Sequence, residues 1–166
     1  ACALALQERG IVPQGAAGFS LGEIPALAFC GVLPLEQAFE LVCRRGEYMD
    51  DCARSKRGAM SAVLKLPFET VEQLCEEFPD AYPVNYNCPG QLVVAASEET
   101  IGKLEEKAGQ AGGRCVRLAV SGAFHSPFME EACGILQKWL SHAELCKPEI
   151  PLYANVDARP YTKERA

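Results

Sequence analysis

The chain has 166 residues, 49% of them hydrophobic, with a formal net charge of −6 and a pI near 5.0. Such a length and apolar content support a buried core in one domain or two small ones. The acidic balance excludes nucleic acid as the main partner, because phosphate binding asks for a basic face. No apolar run reaches membrane-spanning length, and the nine cysteines, at 2, 30, 43, 52, 75, 88, 115, 133 and 146, contain no C-x-x-C pair. Neither a metal site nor a disulfide framework is indicated. Most cysteines are expected as small core residues in a reducing compartment, with the cytoplasm as the simplest location.

Ala1 to Arg9 reads as a helix with no capping residue before it and no initiator Met, which predicts that the natural N-terminus is missing. Gln14-Gly15-Ala16-Ala17 is short and apolar enough for a buried strand. It runs into Gly18-Phe19-Ser20-Leu21-Gly22-Glu23, which has the G-x-S-x-G form of a nucleophile elbow: a serine on a sharp turn between strand and helix. Glycine at 18 and 22 lets strand and helix approach closely and puts the Ser20 hydroxyl at the first helical turn, where free N–H groups favour an oxygen gaining negative charge. Five residues also fit an ordinary glycine-rich turn with an incidental serine. Glu23 to Phe29 then reads as a short helix stopped at Gly31, and Pro34 opens a long helix with Leu35, Ala38, Phe39, Val42, Met49 and Ala53 at helical spacing.

Near Lys56-Arg57-Gly58 the rhythm changes. Ala59 to Leu66 alternates like a strand, Phe68 to Phe78 reads as a helix, and Tyr82–Asn87 and Gln91–Ala96 read as strands around the Pro89-Gly90 turn. Ser97 caps a helix bearing Ile101, Leu104 and Ala108 that Gly112-Gly113 ends, and Cys115 to Val120 gives another strand. The order βαββαβ is the ferredoxin-like arrangement. The predicted fold is therefore α/β: a larger unit over 1–57 and 121–166, interrupted by a ferredoxin-like subdomain over 58–120. Ser126 and Pro127 open a helix running through Trp139-Leu140, Ile150 to Val156 reads as a buried strand, and the sequence stops soon after, as if the C-terminus were also truncated.

A serine needs a base within hydrogen-bond reach. His142, at the end of a helix beside Glu144 and Lys147, reads as a surface residue. His125 is the better base, because it lies in a strand-to-helix loop as Ser20 does, and such loops hold catalytic groups. The separation of 105 residues is no objection if the insertion folds on its own and returns its ends together. Asp50, Asp51, Asp80 and Asp157 all sit in helix-end or turn contexts, so a Ser–His dyad oriented by a backbone carbonyl is expected. Residues 44 to 65 carry Arg44, Arg45, Arg54, Lys56, Arg57 and Lys65 against Glu47, Asp50 and Asp51, a basic strip suited to an acidic partner or to a solvated helix end.

The Gly18–Glu23 elbow, Arg45-Gly46-x-x-Met49, Gly58-Ala59-Met60, Asn85-x-Asn87-x-Pro89-Gly90-Gln91, Gly122-Ala123-Phe124-His125-Ser126 and Asn155-Val156 occur in this order. In these blocks the sequence resembles the acyltransferase family typified by malonyl-CoA:acyl carrier protein transacylase, including the acyltransferase domains of fatty acid and polyketide synthases. The resemblance implies an α/β-hydrolase-like core, partial here, around the inserted subdomain. It implies that Ser20 takes a malonyl group from CoA with His125 as base, then acid, and passes it to the phosphopantetheine thiol of acyl carrier protein, with no bound cofactor. Arg45, alone readable as a solvated charge, becomes the group that grips the malonyl carboxylate; the Leu21 backbone N–H becomes an oxyanion donor; Phe124 crowds the acyl α-carbon.

Phe19 stands where the family has His, beside the acyl pocket. Asn85 and Asn87 line the pantetheine path or simply form the hairpin. Carrier docking is expected on Arg54, Lys56 and Arg57 of a monomer. The family's N-terminal Gly-Gln-Gly segment, which completes the oxyanion hole, and its later His-orienting Gln have no counterpart in the sequence, so this chain alone is expected to be weak or inactive. The rival readings are a serine esterase or thioesterase, which needs neither Arg45 nor the insertion, and a noncatalytic ferredoxin-like binding module, which needs no approach of Ser20 to His125.

Overall fold

A computed structural model describes residues 2–162; the expected helix start at Ala1 and the terminal residues 163–166 lie outside them. The elements in order are α1 (Cys2–Gln7), β1 (Ala16–Ala17), a 3₁₀ turn (Ser20–Gly22), α2 (Glu23–Phe29), α3 (Leu35–Ser55), β2 (Gly58–Leu64), α4 (Phe68–Glu76), β3 (Tyr82–Cys88), β4 (Gln91–Ser97), α5 (Glu98–Gln110), β5 (Arg114–Arg117), a 3₁₀ turn (Pro127–Met129), α6 (Glu130–Leu140) and β6 (Leu152–Tyr153). The chain divides into two compact units, residues 46–137 and residues 1–45 with 138–166.

In the unit of residues 46–137, β2 to β5 form an antiparallel sheet in the order β3-β4-β2-β5. Alternation along β2 sorts its side chains. Ala59 and Val63 pack with Val71, Cys75, Ile101, Leu104 and Ala108 of α4 and α5, while Met60 and Ala62 pack with Ala123, Phe124 and Phe128. Both faces are covered, so β2 is buried almost throughout. Gly58 is required by close approach: a Cβ there would meet the Ala123 side chain at 2.5 Å. The Ser97 hydroxyl accepts from the Thr100 N–H at 3.2 Å and so caps α5 as its sequence predicts.

The other unit is built around a parallel pair, with Ala16 opposite Leu152 and Ala17 opposite Tyr153. Its core is Cys30, Val32 and Leu152, packed by Ala16, Leu27, Phe29, Leu145 and Ile150. Here the structure corrects the sequence. The strands are two residues each, Ala17 is exposed, and Val156 is 87% exposed rather than part of a buried strand. The turn that follows β6 takes over its last residues, with the Ala158 N–H bonded to the Ala154 carbonyl. Cysteine placement also departs from expectation. Cys30, Cys52 and Cys75 are buried, but Cys2, Cys43, Cys88, Cys133 and Cys146 are exposed, Cys43 and Cys133 on the outer faces of amphipathic helices. At Cys75 burial, with Glu72 adding to it, pushes the thiol up to about 12.

Candidate active site

Strand β1 delivers the chain to Gly18, and Phe19 is extended at φ −93° and ψ 126°. Ser20 then turns into the left-handed region at φ +51°, a conformation that costs a non-glycine residue about 1–3 kcal/mol and persists only where its surroundings hold it. Gly18 allows this turn, since a Cβ there would overlap the Gly22 carbonyl and the Glu23 amide nitrogen. Gly22 has a different standing from the one its motif position suggests: a Cβ on it meets nothing within 4 Å. The 3₁₀ turn Ser20–Gly22 leads directly into α2, so the Leu21 amide belongs to the first turn of a helical segment.

Four hydrogen bonds connect Ser20 and its neighbours within this unit. An Arg45 Nη2 donates to Ser20 Oγ at 3.2 Å. The Ser20 N–H donates to Asn155 Oδ1 at 2.6 Å. Glu23 Oε1 accepts from the Asn155 N–H at 2.7 Å and from the Tyr161 hydroxyl at 2.8 Å. Phe19 and Leu21 stand open beside the serine, 62% and 47% exposed. The structure thus places Arg45 against Ser20, with Leu21 next to it in the turn. Asn155, Glu23 and Tyr161 were not expected to act here, although a short polar residue just after a buried strand is a signal that could have marked Asn155.

The remaining candidates lie in the unit of residues 46–137. His125 is exposed and, like Ser20, left-handed, at φ +61°. Its loop is fastened from both sides: Ser126 Oγ donates to the Ala123 carbonyl at 2.5 Å and accepts from the Phe128 N–H at 3.3 Å. Phe124 is half-buried against Met60, Val93, Cys52 and Met129. Asn85 sits opposite Val93 in the β3–β4 pair, and Asn87 Nδ2 donates to Gln91 Oε1 at 3.0 Å across the turn. Arg54, Lys56 and Arg57 are exposed, Arg54 paired with Asp50 at 2.7 Å. His142, which belongs to the unit of residues 1–45 and 138–166, is exposed, with Nδ1 2.7 Å from the Lys138 carbonyl.

Residues 1–166 match the family described as Acyl transferase domain. The chain belongs to this family. This acyl transferase chain is 33% identical over 163 residues to the malonyl CoA-acyl carrier protein transacylase of Bacillus subtilis, covering 95% of itself and 51% of that relative. Among solved structures it matches MCAT from Streptococcus pneumoniae at 38% identity and a TM-score of 0.90, over 97% of this chain and 54% of that one. It also matches a malonyl-transacylase solved in complex with its type II PKS acyl-carrier protein, at 34% identity and a TM-score of 0.93, again over 97% and 54%. The acyl transferase chain spans about half the length of the relatives it matches. Among its described residues no group of three or more His, Cys, Asp or Glu could hold a metal ion, and no helix is long and apolar enough to cross a membrane.

Proposed function

We propose that this chain carries the acyl-transfer site of an [acyl-carrier-protein] S-malonyltransferase, taking malonyl from malonyl-CoA to acyl carrier protein in fatty acid or polyketide synthesis. The reading rests on the 3.2 Å hydrogen bond from Arg45 to the Ser20 hydroxyl. A guanidinium that already reaches Oγ needs only a small side-chain shift to grip, in a fork, the free carboxylate of a malonyl group carried on that oxygen. An acetyl group offers it nothing.

In the first half-reaction Ser20 Oγ attacks the thioester carbonyl as its proton passes to the His125 imidazole, and the oxyanion faces the Leu21 N–H. The C–S bond then breaks and the CoA sulfur leaves with the proton from His125. In the second half the phosphopantetheine thiol gives its proton to His125 and attacks the ester; the bond to Oγ breaks and Oγ regains the proton. We assign Phe124 to crowding the acyl α-carbon, Phe19 to the acyl pocket, and Asn85 and Asn87 to the pantetheine path.

The proposed architecture is an α/β-hydrolase-like core over 1–57 and 121–166 with a ferredoxin-like subdomain over 58–120. The sheet order β3-β4-β2-β5 with its βαββαβ succession supports the second, and the strand–elbow–helix beside a parallel neighbour supports the first. For the acceptor, the solved complex of a relative with its carrier protein supports the partner class, and exposed Arg54, Lys56 and Arg57 supply a surface that an acidic carrier fits.

The test is the intact mass of the natural full-length protein after brief mixing with malonyl-CoA. A malonyl adduct is expected, lost on adding carrier protein and absent in Ser20→Ala. Arg45→Ala should lower kcat/KM for malonyl-CoA about 30-fold relative to acetyl-CoA, the lower end of the ~2–5 kcal/mol of a charge pair, because Arg45 is only part-buried. Equal loss with both donors removes the arginine's role. Free malonate accumulating without an adduct turns the reading to a hydrolase, and neither adduct nor turnover turns it to a binding module.

A further inference from the structure

The parallel pairing of β1 and β6 has a geometric consequence. Parallel strands end on the same side, so the loops leaving their C-terminal ends lie next to each other. One is the elbow, with Ser20 three residues past Ala17; the other begins at Ala154 and holds Asn155 two residues past Tyr153. The second loop folds back on β6: the Ala154 N–H bonds the Arg159 carbonyl, Tyr153 bridges Pro160, and the Tyr161 N–H bonds the Leu152 carbonyl at 2.8 Å. This return carries the Tyr161 hydroxyl to the Glu23 carboxylate on the first turn of α2.

The result is a closed circuit. Ser20 N–H reaches Asn155 Oδ1, Asn155 N–H reaches Glu23 Oε1, and Glu23 is covalently three residues from Ser20. A left-handed serine must be held by what surrounds it, and the first N–H groups of a helical segment are the ones that look outside the segment for acceptors. The Asn155 side chain supplies such an acceptor from 135 residues away. Glu23 fixes the asparagine in turn, its Oε1 accepting from both the Asn155 N–H and the Tyr161 hydroxyl.

We infer that Asn155 is a positioning residue for the nucleophile, holding Ser20 through its backbone amide, and that Glu23, itself tied by Tyr161, holds Asn155. With the Ser20 amide engaged, the next amide, of Leu21, is the one left to the acyl carbonyl oxygen. This rests on the acyl-transfer reading only for its kinetic consequence; the latch itself is a statement about the Ser20 amide.

Two readouts on the natural full-length protein keep these apart. The first is hydrogen exchange at the Ser20 amide, followed by NMR. Asn155→Ala and Glu23→Ala should each speed it about tenfold, the scale of one hydrogen bond, with the β2–β5 amides unchanged. Glu23→Gln, which keeps a neutral oxygen acceptor for both donors, should restore protection. The second is acyl-enzyme formation from malonyl-CoA: in the two alanine variants kcat should fall about tenfold while KM stays within about twofold, and Glu23→Gln should recover most of the rate. Unchanged Ser20 exchange in Asn155→Ala overturns the latch. Lost protection with an unchanged acylation rate overturns the positioning role, as does a rise in KM alone. If the unaltered protein forms no acyl-enzyme, the acyl-transfer reading fails, and the exchange data still decide the latch.

Discussion

Residues 46–137 bury a sheet of strands seven, seven, seven and four residues long beneath two helices, whereas the unit of residues 1–45 and 138–166 pairs strands of only two. The first kind of unit is held by apolar area. Val63, Val71, Val94, Ile101, Leu104 and Ala108 have no exposed surface at all. The second kind is held where it matters by polar contacts between residues far apart in sequence, and it leaves Leu35 67% and Phe39 69% exposed. A sheet of that size tolerates drift in its loops, but a strained serine does not, so a few directional hydrogen bonds do for the elbow what packing does for the sheet.

If the comparison is right, the largest effects on stability belong to the sheet unit. Leu104→Ala removes a side chain packed wholly inside the α5 face and should cost about 2–5 kcal/mol, read as a lowered urea midpoint with an unchanged slope. A loss below about 1 kcal/mol would mean that apolar packing is not what holds this unit. In the elbow unit the sharper probe is steric. Gly18→Ala forces the Gly22 carbonyl and Glu23 amide to move and should cost about 1–3 kcal/mol. Gly22→Ala, at φ −64° and ψ −19° with open space around it, should instead stabilise by about 0.4–1 kcal/mol. Equal effects at the two glycines would mean that the motif, rather than the approach of one backbone to another, sets their roles.

The same comparison marks what the sequence could convey. The strands and helices of the sheet unit were legible to within a few residues, because alternation, helical spacing and the Pro89-Gly90 and Gly112-Gly113 turns are local signals, whereas the unit's bounds, 46–137, were not read from them. The elbow was legible too, from three fixed letters and their flanks. What was hidden depends on residues distant in sequence. The Asn155-Val156 block marks the residue but not the amide, 135 residues earlier, that its side chain meets, and nothing near Gly22 reveals that its Cβ position is empty. The expected strand over Ile150 to Val156 failed for the same reason: an apolar run records what can pair, while the loop that folds back after Tyr153 decides where pairing ends.

The smallest predicted effect tests whether charge adds anything to the apolar unit. Arg117 on β5, an edge strand with β2 as its neighbour, donates from Nε and Nη2 to the two oxygens of Glu105 on α5, both at 2.7 Å. These hydrogen bonds, outweighing burial, hold the Glu105 carboxyl below the usual carboxylate range. A folded-state value below the unfolded one, near 4.3, means stabilisation that is present above the unfolded value and is lost as pH falls through the folded value. Because the Arg117 side chain is 42% exposed, solvent screens the pair, and the contribution should stay under about 1 kcal/mol. Urea midpoints of the protein and of Glu105→Gln should therefore differ slightly near neutral pH and converge as pH falls past the unfolded value and through the lower folded one. A gap that persists at low pH would assign the glutamate's effect to its packing between α5 and β5. The sheet unit would then owe its edge, like its core, to the area it covers rather than to the charge it pairs.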